Sequence, residues 1–183
     1  VDREYRVITA LNQTDVPVYQ FVVGNWDARR AADYQIQFDM RAVEALGNNA
    51  GITWDKPLQK TGRKDWDLVI KTSLTSLFKM CRSIKDDMLN ASFSRIILIS
   101  SIDDQKGQFG KTNSSAAAAE DIGFTKSLSL ETVSIGNTLN VIAPDYITTE
   151  MVMAVPKKIL NVSIIPQIPV RRLGQAREIA GYV

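Results

Sequence analysis

The chain has 183 residues, of which 45% are hydrophobic and 23% charged, so it can bury a core as one folded domain, and disorder or a fibre is excluded. Its 22 basic and 20 acidic residues are scattered, and no patch predicts binding to nucleic acid or to an anionic membrane. The sequence has no histidine and one cysteine, Cys81, which excludes Ser-His-Asp and Cys-His catalysis, histidine-ligated zinc and an internal disulfide.

The N-terminus carries charge where a signal peptide would be apolar, and no apolar run approaches the roughly 18 residues of a membrane span. We therefore expect a soluble protein, and the single cysteine suits the reducing cytoplasm. The chain begins without methionine and stops within a predicted helix, so processing, truncation and partial coverage stay open.

Predicted strands and helices alternate along the chain, which is typical of a parallel sheet covered by helices on both faces. In chain order we predict strands at 6–10 and 16–23, helices at 27–46 and 65–88, a strand at 95–99, a helix at 114–133, a strand at 138–143, and a short helix, a loop and a last helix start within 156–179. The first helix is predicted to end at Gly47, directly before a turn, so a strand that a doubly wound fold would place there is expected to be missing.

Four local sequences stand in one order along the chain. They are NNAGIT at 48–53, ISS at 99–101, QKGQFG at 105–110 and PDYITTEM at 144–151. Together they resemble the short-chain dehydrogenase/reductase family. The QKGQFG loop and IIPQIPVRRLG at 164–174 resemble its acetoacetyl-CoA reductase and 3-oxoacyl-carrier-protein reductase branch.

The resemblance implies a Rossmann-like doubly wound parallel sheet, NADPH as hydride donor, reduction of a 3-oxoacyl thioester to the 3-hydroxy form, and a homo-oligomer, usually a tetramer. Residues 5–8 resemble the second strand of the family. The first strand and the glycine-rich phosphate loop would then precede Val1. We expect residues 1–183 to form a single incomplete Rossmann-like domain that lacks most of the contacts with which the family binds the cofactor phosphates.

In the family a tyrosine protonates the carbonyl oxygen as hydride arrives, a serine holds that oxygen, a lysine lowers the pKa of the tyrosine, and an asparagine supports a water chain. Ser101 matches the serine. Ser114, Ala118 and Ser73 stand where the tyrosine, the lysine and the asparagine belong. Because an aliphatic hydroxyl is a far weaker acid than a phenol and is carried on a shorter side chain, we expect the chain as written to be a poor catalyst.

The resemblance also assigns binding positions. Cofactor-binding positions are Asn25, Asn49, Ala50, Gly51, Pro144 and Thr149, and acyl-binding positions are Asp55, Gln108, Phe109 and Tyr146. Asp145 follows Pro144 where the family has glycine, which places a carboxylate near the nicotinamide. Simpler interpretations predict that Ser114 and Ser115 cap a helix and that Lys106 and Lys111 are solvated loop charges.

Three functions stay open on this sequence. The chain could be a reductase of which the printed sequence is an incomplete or altered version, a catalytically inactive relative that serves as a binding or assembly subunit, or a binder of nucleotide or acyl-CoA without chemistry. The predicted helices at 65–88 and 114–133 correspond to subunit-contact helices of the family. An intact-mass measurement tests the first function, measurable oxidation of NADPH with acetoacetyl-CoA by the chain as written would refute the second, and a thermal shift with CoA esters tests the third.

Overall fold

The computed structural model describes residues 17–19, 25–40, 43–91 and 93–183. The predicted strands at 6–10 and 16–23 lie outside these residues, except for 17–19, which have no regular secondary structure. The helices are α1 (Trp26–Met40), α2 (Arg63–Ile70), α3 (Ser76–Asn90), α4 (Asp103–Lys106), α5 (Thr112–Thr132), α6 (Glu150–Met153), α7 (Lys157–Ile159) and α8 (Ala176–Ala180), and the strands are β1 (Ala45–Asn48), β2 (Ser94–Ile99) and β3 (Asn137–Ile142).

The described strands form one parallel sheet in the order β1-β2-β3. In the register of this sheet, Ile96 of β2 stands opposite Leu46 of β1 and Leu139 of β3. The apolar run that predicted a strand buried on both faces is thus the central strand. A parallel sheet with helices between its strands confirms the predicted Rossmann-like α/β class.

The strand that we expected to be missing is present, so that prediction was wrong. Helix α1 ends at Met40, and Ala45–Asn48 form β1 instead of the last turn of a helix. The cause is pairing: Ala45 to Asn48 stand in register with Arg95 to Leu98, and this backbone ladder overrides the local helical spacing of the apolar residues.

The predicted helix at 65–88 is confirmed as a continuous helical segment, but a π-helical turn at Lys71–Thr75 separates α2 from α3. The Ser76 hydroxyl donates to the carbonyl oxygens of Thr72 and Ser73, the latter at 2.9 Å, and so satisfies groups that the wider turn leaves free. One face of α3 packs on the sheet to form the core, whose buried members are Leu77, Cys81, Ile84, Met88, Ile96, Leu98 and Leu139.

Cys81 is a core residue, as its place in the helical stripe predicts. Its side chain is buried, and burial raises the pKa of the thiol to about 12 although Asn48 donates a weak hydrogen bond to the sulfur at 3.9 Å. Because only the thiolate reacts readily, Cys81 is an inert packing residue at neutral pH.

The other predicted elements agree with the structure within two residues at each end. The strands at 95–99 and 138–143 are β2 and β3, and the helix at 114–133 is α5. The predicted caps were wrong: α5 begins at Thr112 with Lys111 as its N-cap, so Ser114 and Ser115 lie inside its first turn. Across the described ranges, none of the helices has both the length and the apolar character that crossing a bilayer requires.

Candidate active site

The candidate site lies at the carboxyl ends of the three strands, where ligands bind in open parallel sheets. Two loops run side by side past these ends. The Ser100 amide donates to the carbonyl of Ile142 at 2.8 Å, and the Ile102 amide donates to that of Pro144 at 3.0 Å. The loop after β2 therefore lies directly against the loop after β3.

Ser101 is half-buried at this edge, between the two residues that make those backbone bonds. The hydroxyl of the preceding residue, Ser100, donates to the carbonyl of Ala118 in α5 at 3.2 Å. The structure thus brings the predicted Ser101 and Ala118 positions to adjoining backbone segments.

Ser114 lies in the first turn of α5, half-buried, and its hydroxyl lies 3.5 Å from two acceptors, Oδ1 of Asp55 and Oδ1 of Asn113. A predicted catalytic position therefore contacts a predicted acyl-binding position. Both contacts are longer than an ordinary O–H···O bond, so they engage the serine hydroxyl only weakly.

Asn113 helps to hold Ser114 near Asp55, and this role was not predicted from the sequence. Its side chain is 1% exposed, its Nδ2 donates to the carbonyl of Trp54 at 3.3 Å, and its Oδ1 accepts from the Ser114 amide at 2.9 Å. These bonds fasten the start of α5 to the loop after β1. One asparagine in a polar stretch gives no sequence signal of such burial.

The remaining catalytic positions lie on α5 and on its neighbour. Ala118 is 8% exposed, and its methyl group stands at the position that the resemblance assigns to the family lysine. Ser73 is the half-buried centre of the π-helical turn, and this turn packs against α5. A π-helical turn often marks a functional site, and Ser73 lies within this one.

The cofactor-binding positions are only partly brought together. Asn49, Ala50 and Gly51 follow β1 at the site edge, and a Cβ built on Gly51 would meet none of the described atoms within 4 Å. Thr149 caps α6 by accepting from the Val152 amide at 3.4 Å. Asn25 lies at the start of α1, where its Oδ1 accepts from the amides of Asp27 and Ala28, so the structure gives it a capping role.

The acyl-binding positions separate into two groups. Gln108 donates through Nε2 to the Tyr146 hydroxyl at 3.4 Å, and both residues line a cavity of about 370 Å³. Phe109 is 90% exposed, and Asp55 lies with Ser114 instead. The full lining of the cavity is Lys106, Gly107, Gln108, Asp145, Tyr146, Gln167 and Ile168.

Lys106 is exposed, as predicted for a solvated charge, but it ends α4 instead of lying in a loop, and it lines the cavity. Its Nζ lies 3.2 and 3.3 Å from the two carboxylate oxygens of Asp145 and 5.9 Å from the centroid of the Tyr146 ring. The two charges are 39 residues apart in sequence and meet because neighbouring parallel strands end at the same edge. No local pattern could have predicted this pair.

A nicotinamide cofactor, which the family resemblance implies, fits these residues poorly at its reacting end. The open turn at 49–51 leaves backbone accessible to a ribose. However, Ser114 offers only an aliphatic hydroxyl, Ala118 supplies no cation, and Asp145 adds a carboxylate beside Pro144.

Comparison with known proteins decides the family. The model of the family described as short chain dehydrogenase matches residues 2–160, which is most of the chain. The chain belongs to the short-chain dehydrogenase family. This short-chain dehydrogenase is 47% identical over 171 residues to the acetoacetyl-CoA reductase of Shinella zoogloeoides, a match that covers 93% of the chain and 71% of that relative.

Two further relatives agree with this. The acetoacetyl-CoA reductase of Cupriavidus necator is 44% identical over 158 residues, which are 86% of the chain and 64% of the relative. The 3-oxoacyl-(acyl-carrier-protein) reductase FabG of Escherichia coli is 39% identical over 149 residues, which are 81% of the chain and 61% of the relative. The short-chain dehydrogenase thus spans about two thirds of the length of these relatives, and its likeness to the predicted branch is confirmed.

The arginine pair at 171–172 follows the cavity residues, and both members are engaged within the protein, Arg171 by donating to the carbonyl oxygen of Pro166. The guanidinium of Arg172 donates to both Glu178 carboxylate oxygens, at 2.7 and 2.8 Å, and the Gln175 amide donates to the same carboxylate at 2.7 Å. These bonds lower the pKa of Glu178 from an ordinary 4.5 to about 2. Arg172 is therefore an ion-pair partner rather than a free phosphate ligand.

We expect this ion pair to give a defined pH dependence. Because the pKa of Glu178 is lower in the folded state, its stabilisation is fully present above pH 4.5 and is lost as the pH falls through about 2. The measurement is an NMR titration of the Glu178 carboxyl carbon. The variant Arg172→Gln should return the pKa toward 4.5, and an unchanged low value in that variant would contradict the assigned cause.

Proposed function

We propose that this protein is a cytoplasmic reductase descended from acetoacetyl-CoA reductases and that its hydride donor is NADPH. We further propose that its site binds 3-oxoacyl thioesters but reduces them slowly. The likeness to reductases of acetoacetyl-CoA and of 3-oxoacyl carrier protein supports the substrate class. The pairing of Gln108 with Tyr146 in one cavity supports retention of an acyl site.

The observation that carries the proposal of slow reduction is the environment of Ser114. A carbonyl that receives hydride must gain a proton, and the hydroxyl at this position is aliphatic, a far weaker acid than a phenol, with Oδ1 of Asp55 and Oδ1 of Asn113 each 3.5 Å away. Ala118, one turn along α5, has no charge with which to lower a neighbouring pKa. Loss of a positioned acid typically reduces a rate by about 10² to 10⁴-fold.

Binding is tested apart from turnover by removing the cavity tyrosine. We expect Tyr146→Ala to weaken the binding of acetoacetyl-pantetheine by about fivefold or more, because a hydrogen-bonding and packing group is lost. Isothermal titration calorimetry measures the two dissociation constants. Tyr34→Ala is the matched control, since Tyr34 is exposed on α1 and does not line the cavity.

If Tyr146→Ala and the unchanged protein bind the thioester equally, the cavity is not the acyl site. If the unchanged protein binds no thioester at millimolar concentration, the proposed substrate class is wrong.

The second candidate function, a binding or assembly subunit, is favoured by apolar side chains that stay exposed on the long helices. They are Trp66, Leu68, Phe78, Leu130 and Val133, from α2, α3 and the end of α5. Such side chains suit a subunit interface, and we propose a homo-oligomer, with the tetramer as the assembly expected from the resemblance.

Light scattering across a range of concentrations tests this assembly. We expect the mass of an oligomer, and we expect Leu130→Glu to shift the protein toward the monomer because Leu130 is 80% exposed and a charge there opposes an apolar interface. A monomer at every concentration would contradict the proposed assembly.

A further inference from the structure

The Lys106–Asp145 ion pair lies in the wall of the acyl cavity. Lys106 ends α4 and Asp145 follows β3, so the pair bridges the two loops that flank the cavity. The side chains are 48% and 40% exposed, which leaves both charges within reach of a ligand and of solvent. An ion pair this exposed adds little to stability, and both of its members line the cavity.

Lys106 and Asp145 are the charged residues of the cavity lining, and their opposite charges sum to zero. The other side chains in the lining are uncharged, namely Gln108, Tyr146, Gln167 and the buried Ile168. A ligand carboxylate would therefore be attracted by the Lys106 ammonium and repelled by Asp145, whose two oxygens already share that ammonium. An uncharged acyl chain would feel neither charge.

We propose that Lys106 and Asp145 together determine the charge selectivity of the acyl cavity, so that it prefers an uncharged acyl chain to one that ends in a carboxylate. This inference rests on the proposed function, which makes the cavity an acyl site. Neither residue is given a part in proton or hydride transfer. The selectivity comes from a balance of one positive and one negative charge.

The balance can be shifted one charge at a time with substitutions that preserve size. Asp145→Asn leaves the ammonium alone and gives the cavity a charge of +1. Lys106→Met, which keeps an unbranched side chain of similar length, leaves the carboxylate alone and gives −1. The variant that carries both substitutions is neutral again.

The probes are butyryl-pantetheine and succinyl-pantetheine, which have four-carbon acyl groups of similar size and cannot be reduced at C3. The ratio of their dissociation constants is measured by calorimetry for the unchanged protein, the two single variants and the double variant. Melting curves check that all four proteins fold.

We expect the unchanged protein to prefer the butyryl ester. Asp145→Asn should shift the ratio about fivefold or more toward the succinyl ester, Lys106→Met should shift it the other way, and the double variant should return to within about twofold of the unchanged protein. These shifts should collapse in about 1 M salt, where the screening length is only about 3 Å.

Two results would overturn the inference in distinguishable ways. If both single variants weaken both esters by the same factor, the pair merely holds the loops together, and the selectivity role is wrong while the acyl site stands. If the unchanged protein binds neither ester at millimolar concentration, the cavity is not an acyl site, and the proposed function fails together with the inference.

Discussion

Placing tyrosine at 114 and lysine at 118 together should raise the rate of NADPH-dependent reduction of acetoacetyl-CoA by about 10² to 10⁴-fold. Ser114 is half-buried at the site edge and Ala118 lies one turn further along α5, so a phenol and an ammonium would stand on one face of the same helix. The phenol supplies the proton, and the ammonium lowers its pKa. The measurement is the initial rate of NADPH loss at saturating thioester.

The matched control is Ser114→Phe with Ala118→Lys, which has the same bulk and the same new charge but no acidic hydroxyl. We expect its rate to stay near that of the unchanged protein. A folded Ser114→Tyr, Ala118→Lys protein that is no faster than this control would show that position 114 does not face the reacting carbonyl. Because Ala118 is 8% exposed, circular dichroism must first confirm that the lysine is accommodated.

The substitution Leu98→Ala should lower the free energy of unfolding by about 2–5 kcal/mol. Leu98 is 1% exposed in the central strand and belongs to the cluster formed with α3, so the smaller side chain leaves a cavity between sheet and helix. Urea unfolding followed by circular dichroism measures the change.

Thr138→Ala is the control for this effect. Thr138 is exposed on β3, and its truncation should change the free energy of unfolding by no more than about 0.5 kcal/mol. A loss of less than about 1 kcal/mol in Leu98→Ala would mean that the sheet and α3 do not form the main core.

Much of the fold could be predicted because its central elements have strong local patterns. β2 contains an unbroken apolar run at 96–99, and α3 and α5 are long segments with clear ends. β1 could not be predicted in this way, since it has only four residues and alternates between exposed and half-buried positions. Its strand conformation comes from pairing with β2, which is a long-range contact.

In the candidate site, too, the positions of some residues could be predicted but their long-range contacts could not. Motif order placed Ser101, Ser114 and Tyr146 at the edge of the sheet, because each lies just after a strand or at the start of a helix. The contacts that define their chemistry were not predictable. The bond from Ser114 to Asp55 depends on the buried Asn113, and the Lys106–Asp145 pair joins loops that only the folded sheet brings together.

The central claim is that the site holds a 3-oxoacyl thioester but lacks an effective proton donor. It is tested most directly by following NADPH in a sample of the unchanged protein in which calorimetry has shown acetoacetyl-CoA to be bound. We predict binding with a turnover below about 0.1 per second, because loss of a positioned acid lowers an ordinary rate of about 10 per second by at least about 10²-fold. Turnover of about 1 per second or faster, which is within the ordinary range of enzymes, would contradict the account.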